Sequence, residues 1–260
     1  MRRMLFFALA ACLVVGHGCN IKEDRSECPC RLVLDLGNVG LRGQDSLELY
    51  LTSTSGLVWS ARLDSAAVNE GLLIEVPRTS LKLMAWCGGN GMTGLNGMVI
   101  PLGTPCSQVY MYSAELETLG DVCRDTLVMR KNHCVLTVLF RKDDNSALSL
   151  SVRGNVCGYD AFGIPVEGEF LADVVRDSVV SVGCPQVTLP RQSGGELYLD
   201  VEDDTGDVKS FPLSEYMETA GYDWYAPDLP DMMVTIDYVQ TSISLEIQGW
   251  DEEFFFDIVI

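Results

Sequence analysis

The chain of 260 residues carries 37 acidic against 18 basic side chains, a formal charge of -19. Such a surface repels nucleic-acid phosphates and anionic headgroups, which excludes nucleic acid as a partner. The length suits one large β domain or two smaller ones with real cores.

The first eighteen residues read as a secretion signal. Arg2 and Arg3 form a positive start, and Leu5 to Val15 is an apolar run. Eleven residues are too few to cross a bilayer, which takes about 20, but they suit the core of a signal peptide. Gly16 and Gly18 place small residues before Cys19, and polar residues follow at once. A cysteine at such a junction resembles a bacterial lipobox, in which the thiol is acylated. Cys12, after "LAA", is the competing site, but cleavage there would leave an apolar "LVVG" on the mature end. Cys19 is therefore the expected lipidation site, with an ordinary soluble export signal as the plainer reading. Two or three acyl chains would give a lasting membrane anchor, where one would not.

Ten cysteines are many for a cytosolic protein and ordinary for an exported one. Beyond Cys12 and Cys19 the chain has Cys28, Cys30, Cys87, Cys106, Cys123, Cys134, Cys157 and Cys184. Cys157 and Cys184 are the only two beyond residue 143 and are expected to pair; the other six leave their connectivity open. Zinc is disfavoured, since no C-x-x-C pair occurs and the mature chain has one histidine, His133.

Period-two alternation dominates from residue 31. "RLVLDL" (31–36), "SLELYL" (46–51) and "SLKLMAWC" (80–87) each put large apolar residues on one face. Further strands are expected over 57–63, 72–76, 108–112, 125–130, 134–141, 147–153, 166–173, 178–182, 196–202, 207–211, 232–239, 241–248 and 252–260. Short strands at this density predict β-sandwiches. Helical segments are expected at "SEYMETAG" (214–221), with Ser214 as N-cap, and at "SAELETLG" (113–120). The polar "RKDDNSA" (141–147) is the expected junction between an N-terminal domain, 19–143, and a C-terminal domain, 144–260. No fixed-period repeat is visible.

No motif calls for a cofactor, metal or catalytic centre. "GNGMTG" (89–94) matches a dinucleotide loop, but Gly97, Pro101 and Pro105 forbid the helix that must follow. "EDDTGD" (202–207) lacks the calcium-loop spacing and reads as a solvated hairpin turn. His133 beside Cys134 has no nucleophile signature around it. Trp59, Trp86, Trp224 and Trp250 are read mainly as core residues, with glycan stacking as the alternative. The apolar end "EEFFFDIVI" is expected to close its own sheet.

Three stretches carry a resemblance. "CNIKEDRSEC" (19–28), "LSVRGNVCGYDAFGIPVEGEF" (150–170) and the segment 211–260, with "LSEY", "YDW", "DLPDMMVTIDY" and "GWDEEFFFDI", are similar to FimB-type fimbrial anchor lipoproteins of the Bacteroidetes. The likeness is strongest over 145–260 and weak over 31–140. It implies an all-β chain of two tandem transthyretin-like sandwiches after a lipoprotein signal, and no enzyme. It further implies lipidation at Cys19 and a surface-export signal in Lys22, Glu23 and Asp24. The implied partners are fimbrial shaft subunits (fimbrillins) and the outer membrane. A surface adhesin that binds glycan or host protein is the alternative.

Overall fold

The structure is a computed structural model that describes residues 28–41, 43–89, 94–141, 148–178, 184–237, 242–249 and 253–257. Cys19, Lys22, Glu23, Asp24 and Trp250 lie outside the described residues. What is described is an all-β protein with two short helices.

The first sandwich contains β1 (Cys30–Asp35), β2 (Leu47–Ser53), β3 (Gly56–Leu63), α1 (Ser65–Glu70), β4 (Leu72–Val76), β5 (Ser80–Gly88), β7 (Val109–Glu117), β8 (Val122–Thr126) and β9 (Arg130–Lys131). One sheet has the order β4-β1-β8 and the facing one β3-β2-β5-β7-β9. The alternation seen in the sequence is used directly. Leu32 and Leu34 of one sheet meet Leu47, Leu49, Leu51, Leu81 and Leu83 of the other, each at most 1% exposed. Burying each such side chain is worth about 1.5–3 kcal/mol. Helix α1 starts where the Asp64 carboxylate accepts from Ala67 N at 2.9 Å, an N-cap that the strand pattern around it conceals.

The second sandwich contains β10 (His133–Arg141), β11 (Leu148–Tyr159), β12 (Pro165–Ser178), β13 (Gln186–Pro190), β14 (Tyr198–Glu202), β15 (Val208–Phe211), α2 (Leu213–Thr219), β16 (Met232–Asp237), β17 (Ser242–Ile247) and β18 (Glu253–Asp257). Its sheets run β13-β10-β16-β17-β18 and β12-β11-β14-β15. This is the topology of the first sandwich over again. In both, the first strand lies antiparallel to the fourth (β1 with β4, β10 with β13) and parallel to the seventh (β1 with β8, β10 with β16). In both, a hairpin opens the other sheet and its first strand pairs on its other side with the fifth strand of the unit (β2 with β5, β11 with β14). The hairpin β17–β18 extends the second unit. Phe254 and Phe256 pair opposite Leu245 and Ile243 and pack on the core, while Phe255 is 70% exposed. The apolar C-terminal strand thus lies on its own sheet.

The chain between β5 and β7 leaves the first sandwich and lies across the second. Its β6 (Met98–Val99) pairs with Gly158 and Tyr159 of β11. Ile100 N donates to Cys157 O at 2.8 Å, Gly103 N to Leu171 O at 2.8 Å, and Cys106 N to Thr188 O at 2.9 Å. Trp86, Met98, Ile100, Val109 and Met111 therefore sit in the same apolar cluster as Leu136, Leu150 and Ile236. A glycine is required at 158, where φ is 157° and a Cβ would lie 1.9 Å from Met98 O.

Four expectations need correcting. Strand β10 precedes residue 143 yet sits between β13 and β16, so the 141–147 segment connects two facing sheets of one sandwich. Residues 113–120 do not form a helical turn. Ser80 to Gly88 pair with Glu117 to Val109, and this ladder overrides the local helical preference. In α2 the N-cap position falls on Pro212, and Ser214 Oγ instead donates to Gly195 O at 2.5 Å. Cys157 and Cys184 are both free cysteines. The Cys157 thiol faces the Val166 and Glu167 carbonyls within the β11–β12 hairpin at 3.6 and 3.8 Å, whereas Cys184 leads into β13 of the other sheet.

A fragment of residues 144–260 lacks β10, with its fully buried Cys134, Leu136 and Val138. Expressed alone it is expected to be insoluble or unfolded by circular dichroism. The full chain should unfold in one calorimetric transition, and two well-separated transitions would show that the sandwiches are independent.

Candidate functional site

Where the sandwiches meet, the outward side of β7 and β9 and two loops of the second unit enclose a cleft of about 530 Å³. This is within the ordinary size of small-ligand sites, about 300–1,000 Å³. Tyr112 comes from β7, Arg130 from β9 and Asn132 from the step into β10. Phe162 stands on the turn between β11 and β12, Arg191 follows β13, and Tyr225 lies in the loop after α2.

Each wall is held by its own local chemistry. The Phe162 turn is tied by Asp160, whose carboxylate accepts from Phe162 N at 2.8 Å and Ile164 N at 2.9 Å. Gly163 (φ 80°) closes it, its Cα side against the Met111 thioether of the first sandwich. The Phe162 ring carries Lys82 Nζ of β5 at 4.6 Å from its centroid, a cation–π contact across the seam. Tyr225 is 81% exposed at the mouth, and its backbone N donates to Asp223 at 2.8 Å. The Tyr112 hydroxyl donates to Asp125 at 2.9 Å; burial and then that carboxylate push its pKa up to about 12.

Arg191 is the pivot. Its Nε donates to Asn132 Oδ1 at 3.1 Å, and its Nη1 donates to Trp224 O and to Ala226 O, the latter at 2.9 Å. All three acceptors are neutral oxygens. Burial lowers its pKa, an effect opposed by Tyr159, Tyr222, Asp223 and Asp228 nearby. A guanidinium remains charged under such shifts. Arg130 at the rim has a surface pair, Asp228 at 3.7 Å, with both side chains about half exposed. No aspartate or glutamate lines the cleft among the described residues.

Beneath the cleft, the polar groups of the seam are paired. The Tyr159 hydroxyl donates to Asn132 O and accepts from Arg191 N at 2.7 Å. Asp231 accepts from Lys131 Nζ at 2.5 Å and Val135 N at 2.7 Å, and Asp228 accepts from Lys131 N at 2.6 Å. Tyr222 donates to Pro230 O at 2.9 Å. The sequence features "GYD" and "DLPD" are therefore the fittings of the seam.

The residues weighed from sequence take structural places. His133 is buried with Nδ1 at 3.1 Å from Val109 N and 3.0 Å from Val109 O, and its ring meets Tyr110 edge to face at 5.1 Å. Burial pushes the Cys134 and Cys106 thiols up to about 12, which suits packing and not nucleophilic attack. "EDDTGD" is the β14–β15 turn, where the Asp203 carboxylate accepts from Thr205 N at 2.9 Å and Asp207 N at 3.0 Å. Trp86 is buried, and Trp59 and Trp224 pack against the two cores. The aromatic residues that do face the cleft, Phe162 and Tyr225, carried no signal in sequence beyond their turn-rich surroundings, "GYDAFG" and "DWYAP".

Asp231→Ala removes one acceptor shared by a cation and a backbone amide. The expected loss of stability is about 2–3 kcal/mol, measured by denaturant unfolding. An unchanged midpoint would show that the Lys131–Asp231 link is only superficial.

No protein-family model matches the chain, and no curated protein matches it at significant sequence similarity. Solved structures do match in shape. A Bacteroides thetaiotaomicron protein described as polysaccharide-binding has a TM-score of 0.63 at 11% identity, over 88% of this chain and 98% of its own. A Bacteroides ovatus protein described as an adhesin gives 0.60 at 12%, over 88% and 96%. The fimbrial anchor protein Mfa2 from Porphyromonas gingivalis gives 0.55 at 15%, over 86% and 98%. The chain thus shares, over nearly its whole described length, the fold of Bacteroidetes adhesin and fimbrial anchor structures.

Proposed function

We propose that this chain is a fimbrial anchor, a lipoprotein acylated at Cys19 that tethers a fimbrial shaft to the outer membrane and so affects fimbrial length and retention. The observation that carries the reading is the fold shared with Mfa2 across almost the full length of both chains. The N-terminal geometry supports it. Ten residues separate Cys19 from Cys30, the first residue of β1, and cannot reach beyond about 40 Å when fully extended. Cys28 O is bound at 2.7 Å by Arg78, which also pairs with Asp121 at the start of β8. Both β1 and β8 run from that end towards the seam. A lipid on Cys19 would therefore join the chain at the end of the first sandwich, through the strand β1.

In this reading Lys22, Glu23 and Asp24 act as the surface-export signal, and shaft subunits meet the second sandwich. Strand addition is the expected mode of contact: main-chain hydrogen bonds to a sheet edge supply affinity, and alternate side chains supply register. The sheets of the second sandwich end on β12, β13, β15 and β18 among the described strands. Nothing in this role needs a catalytic residue or a cofactor. Among the described residues no helix is long and apolar enough to cross a membrane, so a tether of this kind would be the lipid.

The cleft favours a second reading, in which the chain is instead a surface adhesin that binds glycan. A protein of the same fold is described as polysaccharide-binding. Fimbriae sheared from cells distinguish the roles: an anchor is found at one end of the shaft, and a free-standing adhesin is absent from it.

Cys19→Ala is expected to move the chain from the outer-membrane fraction to the soluble fraction, while Cys12→Ala leaves it membrane-bound. Replacing Lys22, Glu23 and Asp24 with alanine should keep the lipid but protect the chain from protease added to whole cells. Retention of the Cys19→Ala chain in the membrane would remove the basis of the proposal.

A further inference from the structure

We infer that the cleft between the sandwiches is a binding site for an acidic saccharide, a sugar that carries a carboxylate, such as a uronate. The inference rests on the glycan-binding reading and specifies its ligand. The first argument is charge. In a chain with 37 acidic and 18 basic residues, the cleft walls contain two arginines and no acid among the described residues. Arg191 is fixed by the neutral oxygens of Asn132, Trp224 and Ala226, so its position is set without a carboxylate in contact. The nearby carboxylates, Asp223 and Asp228, act on it through space, and Asp125 is occupied by the Tyr112 hydroxyl. Arg130 at the rim offers a second guanidinium, about half exposed and paired with Asp228 at 3.7 Å. With Nε and Nη1 of Arg191 given to protein oxygens, its Nη2 is the donor left for a ligand carboxylate, and the half-exposed Arg130 guanidinium supplies the wider set of donors.

The second argument is the shape and lining of the remaining walls. Phe162 is 39% exposed and Tyr225 81% exposed, and both border the cleft. Large aromatic rings left in water at the mouth of a concave site supply flat apolar faces of the kind a sugar ring presents through its C–H groups. Ser113 and Thr126 add neutral donors and acceptors suited to hydroxyl groups. An extended acidic peptide would use the arginines but would leave the Tyr225 ring uncovered, the Phe162 ring already carrying Lys82 on one side. The observations together favour the saccharide.

The test is titration calorimetry on the purified full chain with a galacturonate trisaccharide, the matching neutral galactose trisaccharide and a pentaglutamate peptide. The acidic sugar is expected to bind, to weaken as salt rises, and to bind at least about tenfold more tightly than the neutral one. Tyr225→Ala and Arg130→Gln alter exposed groups and are expected to leave thermal unfolding unchanged. Each should weaken binding at least about fivefold. Arg191→Gln is unsuitable alone, because Arg191 also holds the Trp224 and Ala226 loop. Equal binding of the neutral sugar would overturn the acidic specificity and leave the glycan reading standing. Binding of neither sugar would overturn both. Binding of pentaglutamate in place of sugar, or sugar binding untouched by both substitutions, would also overturn the inference.

Discussion

The structure depends on the seam where β6 pairs with the end of β11 and the chain steps from β9 into β10. An edge of a two-sheet sandwich normally faces water, yet here the first sandwich sends its β5–β7 connection across the second, and the contact is apolar. Trp86, Met98, Ile100 and Met111 from the first half complete the core of the second half. Such an arrangement strands polar groups in a dry place unless each finds a partner. Tyr159, Asn132, Arg191, Lys131 and Asp231 supply those partners, which is why these side chains lie together.

The same pairings create the cleft. Arg191 is drawn inward by the Asn132 amide and by two carbonyls of the loop after α2, so that loop is held over the seam. The turn carrying Phe162 is pinned to the first sandwich by Met111 and Lys82. Two loops from one unit thus lean towards the outer face of the other and leave a concavity between them. Satisfying neutral carbonyls with a guanidinium thus places Arg191 in the wall of the cleft, in a chain that is acidic overall.

The repeated topology shows how much of a β-sandwich is set by pairing rules and how little by residue identity. Each unit places its first strand between an antiparallel and a parallel neighbour, yet the units share no visible sequence period. Strand lengths differ, with β11 and β12 far longer than β2 and β3, and the helices fall at different points of the two units. The second unit adds β17 and β18 beyond β16, where the first unit ends its corresponding sheet on β8.

Alternation located most strands of both cores, although the strand expected over 125–130 lies at Val122–Thr126. Leu32, Leu34, Leu47, Leu49 and Leu51 are spaced by two because one sheet face is dry and the other wet, and that constraint is local. The acidic turn at 202–207, the helix near 213–219 and the apolar C-terminal strand were legible for the same reason. Other features needed the tertiary structure. Residues 113–120 carry a helical pattern and become strand because β5 offers a ladder of partners. Residues 141–147 look like a linker, although β10 before them belongs with β16, a hundred residues later. The cleft was not legible either: Arg130, Phe162, Arg191 and Tyr225 come from four separate elements, and no spacing in a linear chain encodes their meeting.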